Sequence, residues 1–160
     1  MRIWIGAFSG FICLVCAAGA VDSVWNGGGS DAMWKTAGNW GGTPVAAGND
    51  LYFGGTAKLA NTNDWDEGTA FSSITFNSGA GAFVLNGNGI ALSGSVANSD
   101  NDIQTINLPM ALAATQIFNA SNGNLVANGV LSGAGGLTKA GVYALTITNN
   151  NTYEGLTTVS

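Results

Sequence analysis

The sequence predicts an all-β protein, a right-handed β-solenoid (β-helix) of short strands behind a Trp-rich cap. Three observations carry this. No stretch past the N-terminus places apolar residues at i, i+3, i+4 and i+7, while short alternating runs recur: Ile74 and Phe76, Phe83 and Leu85, Ile90 and Leu92, Leu145 and Ile147. Clusters rich in Gly, Asn, Ser and Asp punctuate these runs about every 8–15 residues, as when a coil has two or three short sides. The outward positions are filled by Thr, Ser and Asn rather than charges, which lets identical side chains stack without like-charge repulsion.

The 160 residues suit about one domain. Only 8% are charged, and hydrophobic residues reach 46%, the reverse of a disordered composition. Four basic residues against nine acidic ones leave too few cations for nucleic acid, whose phosphates demand Lys and Arg. His is absent, so imidazole catalysis is excluded.

Residues 1–20 read as a cleaved export signal. Arg2 precedes the uncharged stretch Ile3 to Ala18, and Ala18-Gly19-Ala20 supplies a small-x-small cleavage site. The apolar stretch is shorter than the ~20 residues a membrane span wants. Cleavage removes Cys13 and Cys16, so the mature chain has no disulfide and no transmembrane span. It keeps Lys35, Lys58 and Lys139 against nine acids, a net charge of −6. Export by a Sec-type route to the medium, cell surface or outer membrane is the expected localisation.

Residues 21–70 form the expected cap, with Trp25, Trp34, Trp40 and Trp65 and most of the acids. A solenoid's first coil exposes apolar surface and strand edges that need covering. Residues 71–160 form the expected solenoid, with roughly 20 residues per coil and four to six coils. Ile74, Phe76, Leu85, Leu92, Ile106, Leu108, Leu145 and Ile147 are the expected inward residues. Pro109 cannot donate to a ladder, so the run from Ile106 to Leu112 should break near it.

Candidate sites are few. The four Trp could form a sugar-stacking platform, or fill the cap, to which an indole brings large apolar area. Asp64, Asp66 and Glu67, and the pair Asp100 and Asp102, are the candidate paired carboxylates for polysaccharide chemistry. Asp100 and Asp102 are also the candidate calcium ligands, although clustered acids in turns commonly bond their own backbone. The loop from Gly27 to Asp31 is a faint match to a calcium-binding glycine repeat, with the wrong spacing. Gly133-Ala134-Gly135-Gly136 lacks the Lys and helix of a phosphate loop. No catalytic residue and no cofactor are assigned.

Leu131-Ser132-Gly133-Ala134-Gly135-Gly136-Leu137-Thr138-Lys139-Ala140-Gly141, then Ala144 to Thr148, then Asn151-Thr152-Tyr153 through Gly155 to Val159, resembles an autotransporter-associated β-strand repeat, also termed the passenger-associated transport repeat. Upstream, Trp25-Asn26-Gly27-Gly28-Gly29, Ala37-Gly38-Asn39-Trp40 and Gly48-Asn49-Asp50-Leu51 are similar to the leader of large secreted proteins carrying such repeats. Val142-Tyr143 and Leu156 depart from the small residues usual at those positions. The resemblance implies a β-helical passenger stalk, non-enzymatic, supporting export, display or adhesion. It also implies continuation of the solenoid in a longer chain, with surface glycans or matrix polysaccharide as candidate partners. The alternatives are a carbohydrate-binding module using the Trp cluster and a polysaccharide-processing enzyme using the acids.

Overall fold

The structure, a computed structural model, describes residues 20–160. The predicted export signal, with Cys13 and Cys16, lies outside the described residues apart from Ala20. The chain is a three-sided β-solenoid of about five turns, built from parallel strands. β1 (Asp22–Trp25) leads through a short 3-10 turn (Ala37–Trp40) to the first complete coil, β2 (Asp50–Phe53), β3 (Ala60–Asn63) and β4 (Thr69–Phe71). The second coil is β5 (Ser73–Phe76), β6 (Val84–Gly87) and β7 (Ile90–Leu92). The third is β8 (Val96–Asn98), β9 (Gln104–Ile106) and β10 (Met110–Leu112). The fourth is β11 (Gln116–Ala120), β12 (Leu125–Ala127) and β13 (Leu131–Ser132). β14 (Leu137–Ala140), β15 (Leu145–Ile147) and β16 (Thr157–Val159) follow.

Three sheets run along the stack, β1-β2-β5-β8-β11-β14-β16, β3-β6-β9-β12-β15 and β4-β7-β10-β13. The solenoid therefore begins before residue 71, which corrects the expected boundary. β2 to β4 already occupy all three sheets, because Leu51, Phe53 and Phe71 point inward as later coil residues do. The cap is mainly the connection between β1 and β2, which places Trp34, Trp40 and Val45 over the first coil.

Register holds the columns. In the longest sheet Leu51, Ile74, Val96 and Phe118 align as one buried column. The repeat shortens from 23 residues, where Asp50 faces Ser73, to 20, where Leu137 faces Thr157. The break at Pro109 is a corner, with Ile106 ending β9 in one sheet and Met110 starting β10 in the next.

Side-chain size is graded along the core. Trp25, Phe53 and Phe76 share a column that continues into Asn98 and Ala120. Phe53 sits at the aromatic centre, with ring centroids 6.1 Å from Trp25, 5.7 Å from Trp34 and Trp40, 5.6 Å from Phe76 and 5.4 Å from Phe83. Burial of such a side chain contributes about 1.5–3 kcal/mol, and tilted or edge-to-face ring pairs add to it.

Six of the expected core residues, Ile74, Phe76, Leu85, Leu92, Ile106 and Leu108, are fully buried. Leu145 and Ile147 depart from that expectation. Leu145 is half-buried and Ile147 is 36% exposed, because β15 is the last described strand of its sheet. Lys139 holds the inward register position next to Phe118, its ammonium turned to the Gly141 carbonyl.

Candidate functional site

Glycines 27 to 29 form a tight loop after β1, and the structure assembles the cap around it. The Asn26 carboxamide oxygen accepts from Gly28 N–H at 2.9 Å, and that of buried Asn39 accepts from Gly29 N–H at 3.0 Å. Asn39 donates in turn to the carbonyls of Asp31 and Met33. A Cβ on Gly29 would meet Thr36 and Asn39 within 2.8 Å, so side-chain-bearing residues do not fit there. The sequence resemblance of this loop to a calcium-binding repeat finds a physical counterpart of another kind. Its carbonyls from Gly27 and Gly29 accept hydrogen bonds from the Lys58 ammonium. A tethered cation thus occupies the carbonyl nest.

Sequence reasoning missed Lys58, whose only signal was an isolated Lys in a Gly- and Ser/Thr-rich corner. Its backbone takes φ 50, unusual for a non-glycine residue. Lys58→Met, which keeps the stem and removes the charge, is expected to destabilise the cap by about 1.5–3 kcal/mol, the range for hydrogen bonds to charged groups. Denaturant unfolding, with hydrogen exchange at Gly28 and Gly29, checks this. Unchanged stability and exchange would show that the ammonium is dispensable.

Of the two readings open for the four Trp, a sugar platform or the filling of the cap, three of them take the second. Trp25 and Trp34 are fully buried and Trp40 is 4% exposed, because together they seal the first coil. Their indole N–H groups are used internally: Trp34 donates to Asn61 at 2.7 Å and Trp40 to the Trp34 carbonyl at 2.7 Å. Trp65 is half-buried against the core, with the Lys35 ammonium 5.2 Å from its ring centroid. A cleft of about 400 Å³ lies beside β1, bounded by Asp22, Asn26, Trp40, Thr43 and Asn49. It holds one carboxylate and no facing acid or base. On the adjacent face, burial first and then Asp22 and Asp50 push the Tyr52 phenol above its ordinary range.

The candidate acids are engaged separately. Asp64 accepts from Lys35 N–H at 2.8 Å, Glu67 from Gly89 N–H at 2.9 Å, and exposed Asp66 lies 3.7 Å from the Lys35 ammonium. Asp100 is 3% exposed, and its two oxygens accept from Gly79 N–H at 2.7 Å and Asp102 N–H at 2.9 Å. As a calcium site the pair Asp100 and Asp102 is disfavoured by this geometry: amide hydrogens already face Asp100, and Asp102 points outward in the same turn. Among the described residues no three acids, Cys or His gather to hold a metal.

The longest polar array runs along one corner of the stack. Asn107 donates to Asn86 at 2.7 Å, Asn128 to Asn107 at 2.9 Å, and Thr148 to Asn128 at 2.9 Å. The steps are 21, 21 and 20 residues, one per coil. Each amide uses part of its bonding capacity within the ladder, which fixes register between coils. No family model, curated protein or solved structure matches this chain.

Proposed function

We propose that the chain is a secreted or cell-surface structural passenger, a β-helical stalk segment that supports export, display or adhesion without catalysis. The observation that carries this reading is the uninterrupted coil-on-coil stack, covered by aromatic side chains at its N-terminal end. The N-terminal stretch that reads as an export signal, and the resemblance of residues 131–159 to a passenger-associated repeat, support it.

Its mechanism is templated stacking. A finished coil offers a row of N–H and C=O groups and a column position such as Asn128, and the next strand docks on both. Strands added in this order each gain a partner already in place. Such one-dimensional growth suits a chain that folds as it emerges from a membrane.

Deletion of residues 131–159 is expected to abolish the surface or secreted pool while the protein is still synthesised, read by cell fractionation and immunoblotting. Undiminished export of the deleted protein would sink the stalk reading.

A further inference from the structure

The buried column of Leu51, Ile74, Val96 and Phe118 begins in β1 with Ser23 rather than an apolar residue. Ser23 is 7% exposed, and Asn49, which donates to its hydroxyl oxygen at 2.7 Å, is 9% exposed. The pair forgoes the apolar burial that stabilises the same column in the next four coils. It lines the cleft of about 400 Å³ beside β1, which falls in the size range of small-ligand sites. Other buried carboxamides are bonded at both ends to backbone. Gln104 accepts from Phe83 N–H at 2.9 Å and donates to the Gly81 carbonyl at 3.2 Å; Asn98 accepts from Asp100 N–H and donates to the Asp102 and Asn124 carbonyls. Ser23 and Asn49 bond each other instead. Among the described residues no donor reaches the Asn49 carboxamide oxygen, and no acceptor takes the Ser23 hydroxyl hydrogen.

We infer that this cleft binds a neutral sugar ring through the Ser23–Asn49 pair, with Trp40 as the apolar wall. The class follows from what the walls offer. Trp40 gives its indole N–H to the Trp34 carbonyl and so presents only apolar surface. Asn26 has its oxygen held by Gly28 N–H, and its Nδ2 is a donor near Gly41, where an added Cβ would lie 3.8 Å away. The Asn49 oxygen and the Asp22 carboxylate accept, and the Ser23 and Thr43 hydroxyls do either. Mixed donors and acceptors around an apolar wall match a ring whose hydroxyls both donate and accept and whose C–H face is apolar. Other classes fit less well. No Lys or Arg lines the cleft, which disfavours phosphate and carboxylate ligands. Cleavage after Ala20 would leave the Val21 ammonium at the rim beside the Asp22 carboxylate, which offsets it. A single carboxylate is too few for a divalent cation, which gathers several hard oxygens. A lipid tail would leave Ser23 and Asn49 without their remaining bonds. Strand addition along β1 stops short, because the Asn26 N–H just past Trp25 is already bonded to the Asn39 carbonyl at 2.8 Å.

Saturation-transfer NMR titrations of the purified protein test this. The probes are methyl glucoside, methyl galactoside, methyl mannoside, cellobiose and maltose, with glucuronate and trialanine as counter-probes. Saturable binding of at least one neutral sugar is expected, with a Kd of about 1 mM or tighter. Ser23→Val combined with Asn49→Leu replaces both polar partners at once. It is expected to weaken binding about tenfold or more and to leave the melting temperature unchanged or higher. Thr43→Trp, at an exposed position that narrows the mouth, is expected to weaken binding without touching the core, and it decides the matter if the paired variant does not fold. No saturable binding by any neutral probe, a preference for glucuronate or trialanine, or binding that survives these substitutions overturns the site. A disaccharide preferred over the methyl glycosides supports the site and assigns a glycan chain as the source; equal affinity supports it with a free sugar. The inference stands apart from the stalk reading: lost sugar binding leaves export untouched, and undiminished export of the chain lacking residues 131–159 leaves the cleft untouched.

Discussion

Phe53→Ala is expected to remove about 3–5 kcal/mol of stability, the usual cost of truncating a buried Phe. Five aromatic rings surround this side chain, and none is free to collapse into the vacated space. Trp25 and Trp40 are held edge to face at 5.1 Å, and Trp34 and Trp40 are tied by the indole-to-carbonyl bond. At ~2–4 °C per kcal/mol for a chain of this size, the melting temperature should fall by roughly 6–20 °C. Trp fluorescence is the direct readout, because Trp25, Trp34 and Trp40 report the same cluster. Phe53→Leu should lose distinctly less. A Phe53→Ala loss below about 1 kcal/mol would mean that the cap repacks freely and that the aromatic cluster does not anchor the stack.

Gly87→Ala is expected to be the most damaging substitution among the corner glycines with positive φ. Gly87 sits at φ 105, and an added Cβ would lie 2.2 Å from the Asn63 carbonyl oxygen of the preceding coil. The oxygen belongs to backbone and the Cβ is fixed rigidly to it, so no side chain can swing aside. Gly79 offers an internal control: its φ is 80, yet nothing lies within 4 Å of its added Cβ. Gly79→Ala should cost only the left-handed backbone term, about 1–2 kcal/mol. Gly87→Ala should add an overpacking cost of about 1–3 kcal/mol, for a total near 2–5 kcal/mol. Thermal unfolding of the two variants separates these contributions. Equal losses would show that the coils part without cost, against the tight columns described above.

Much of the architecture was legible because a solenoid writes its period into the chain. Ile74 and Ile106 alternate with polar neighbours, so their inward direction follows from strand geometry alone. The regular coils near the end, with steps of 20 and 21 residues, are also where the repeat resemblance is tightest. The first coils were harder to read. They run to 23 and 24 residues per step in two of the sheets, and their strands sit among Trp and acidic residues that look like a separate region. Hence β2, β3 and β4 were assigned to the cap although they pair as solenoid strands.

The candidate site was legible only as residue types. Trp25, Trp34 and Trp40 have the composition of either a sugar platform or a core, and alternation cannot separate the two in a loop. Asp100 and Asp102 have the composition of a calcium turn, but the donors facing Asp100 come from Gly79, a full coil away. Lys58 reaches across 31 residues to Gly27, a contact no local pattern announces.

The sequence by itself determined the all-β class, the coil length, most of the inward columns and the uncharged ladders, since each follows from residue period and turn chemistry. The tertiary structure alone decided where the solenoid starts, that three of the Trp are sealed inside it, and that Lys58 fills the glycine nest. Those outcomes depend on which coil lies above and which below. Burial is a property of the stack, and a strand with identical local sequence is core in its middle and surface at its end.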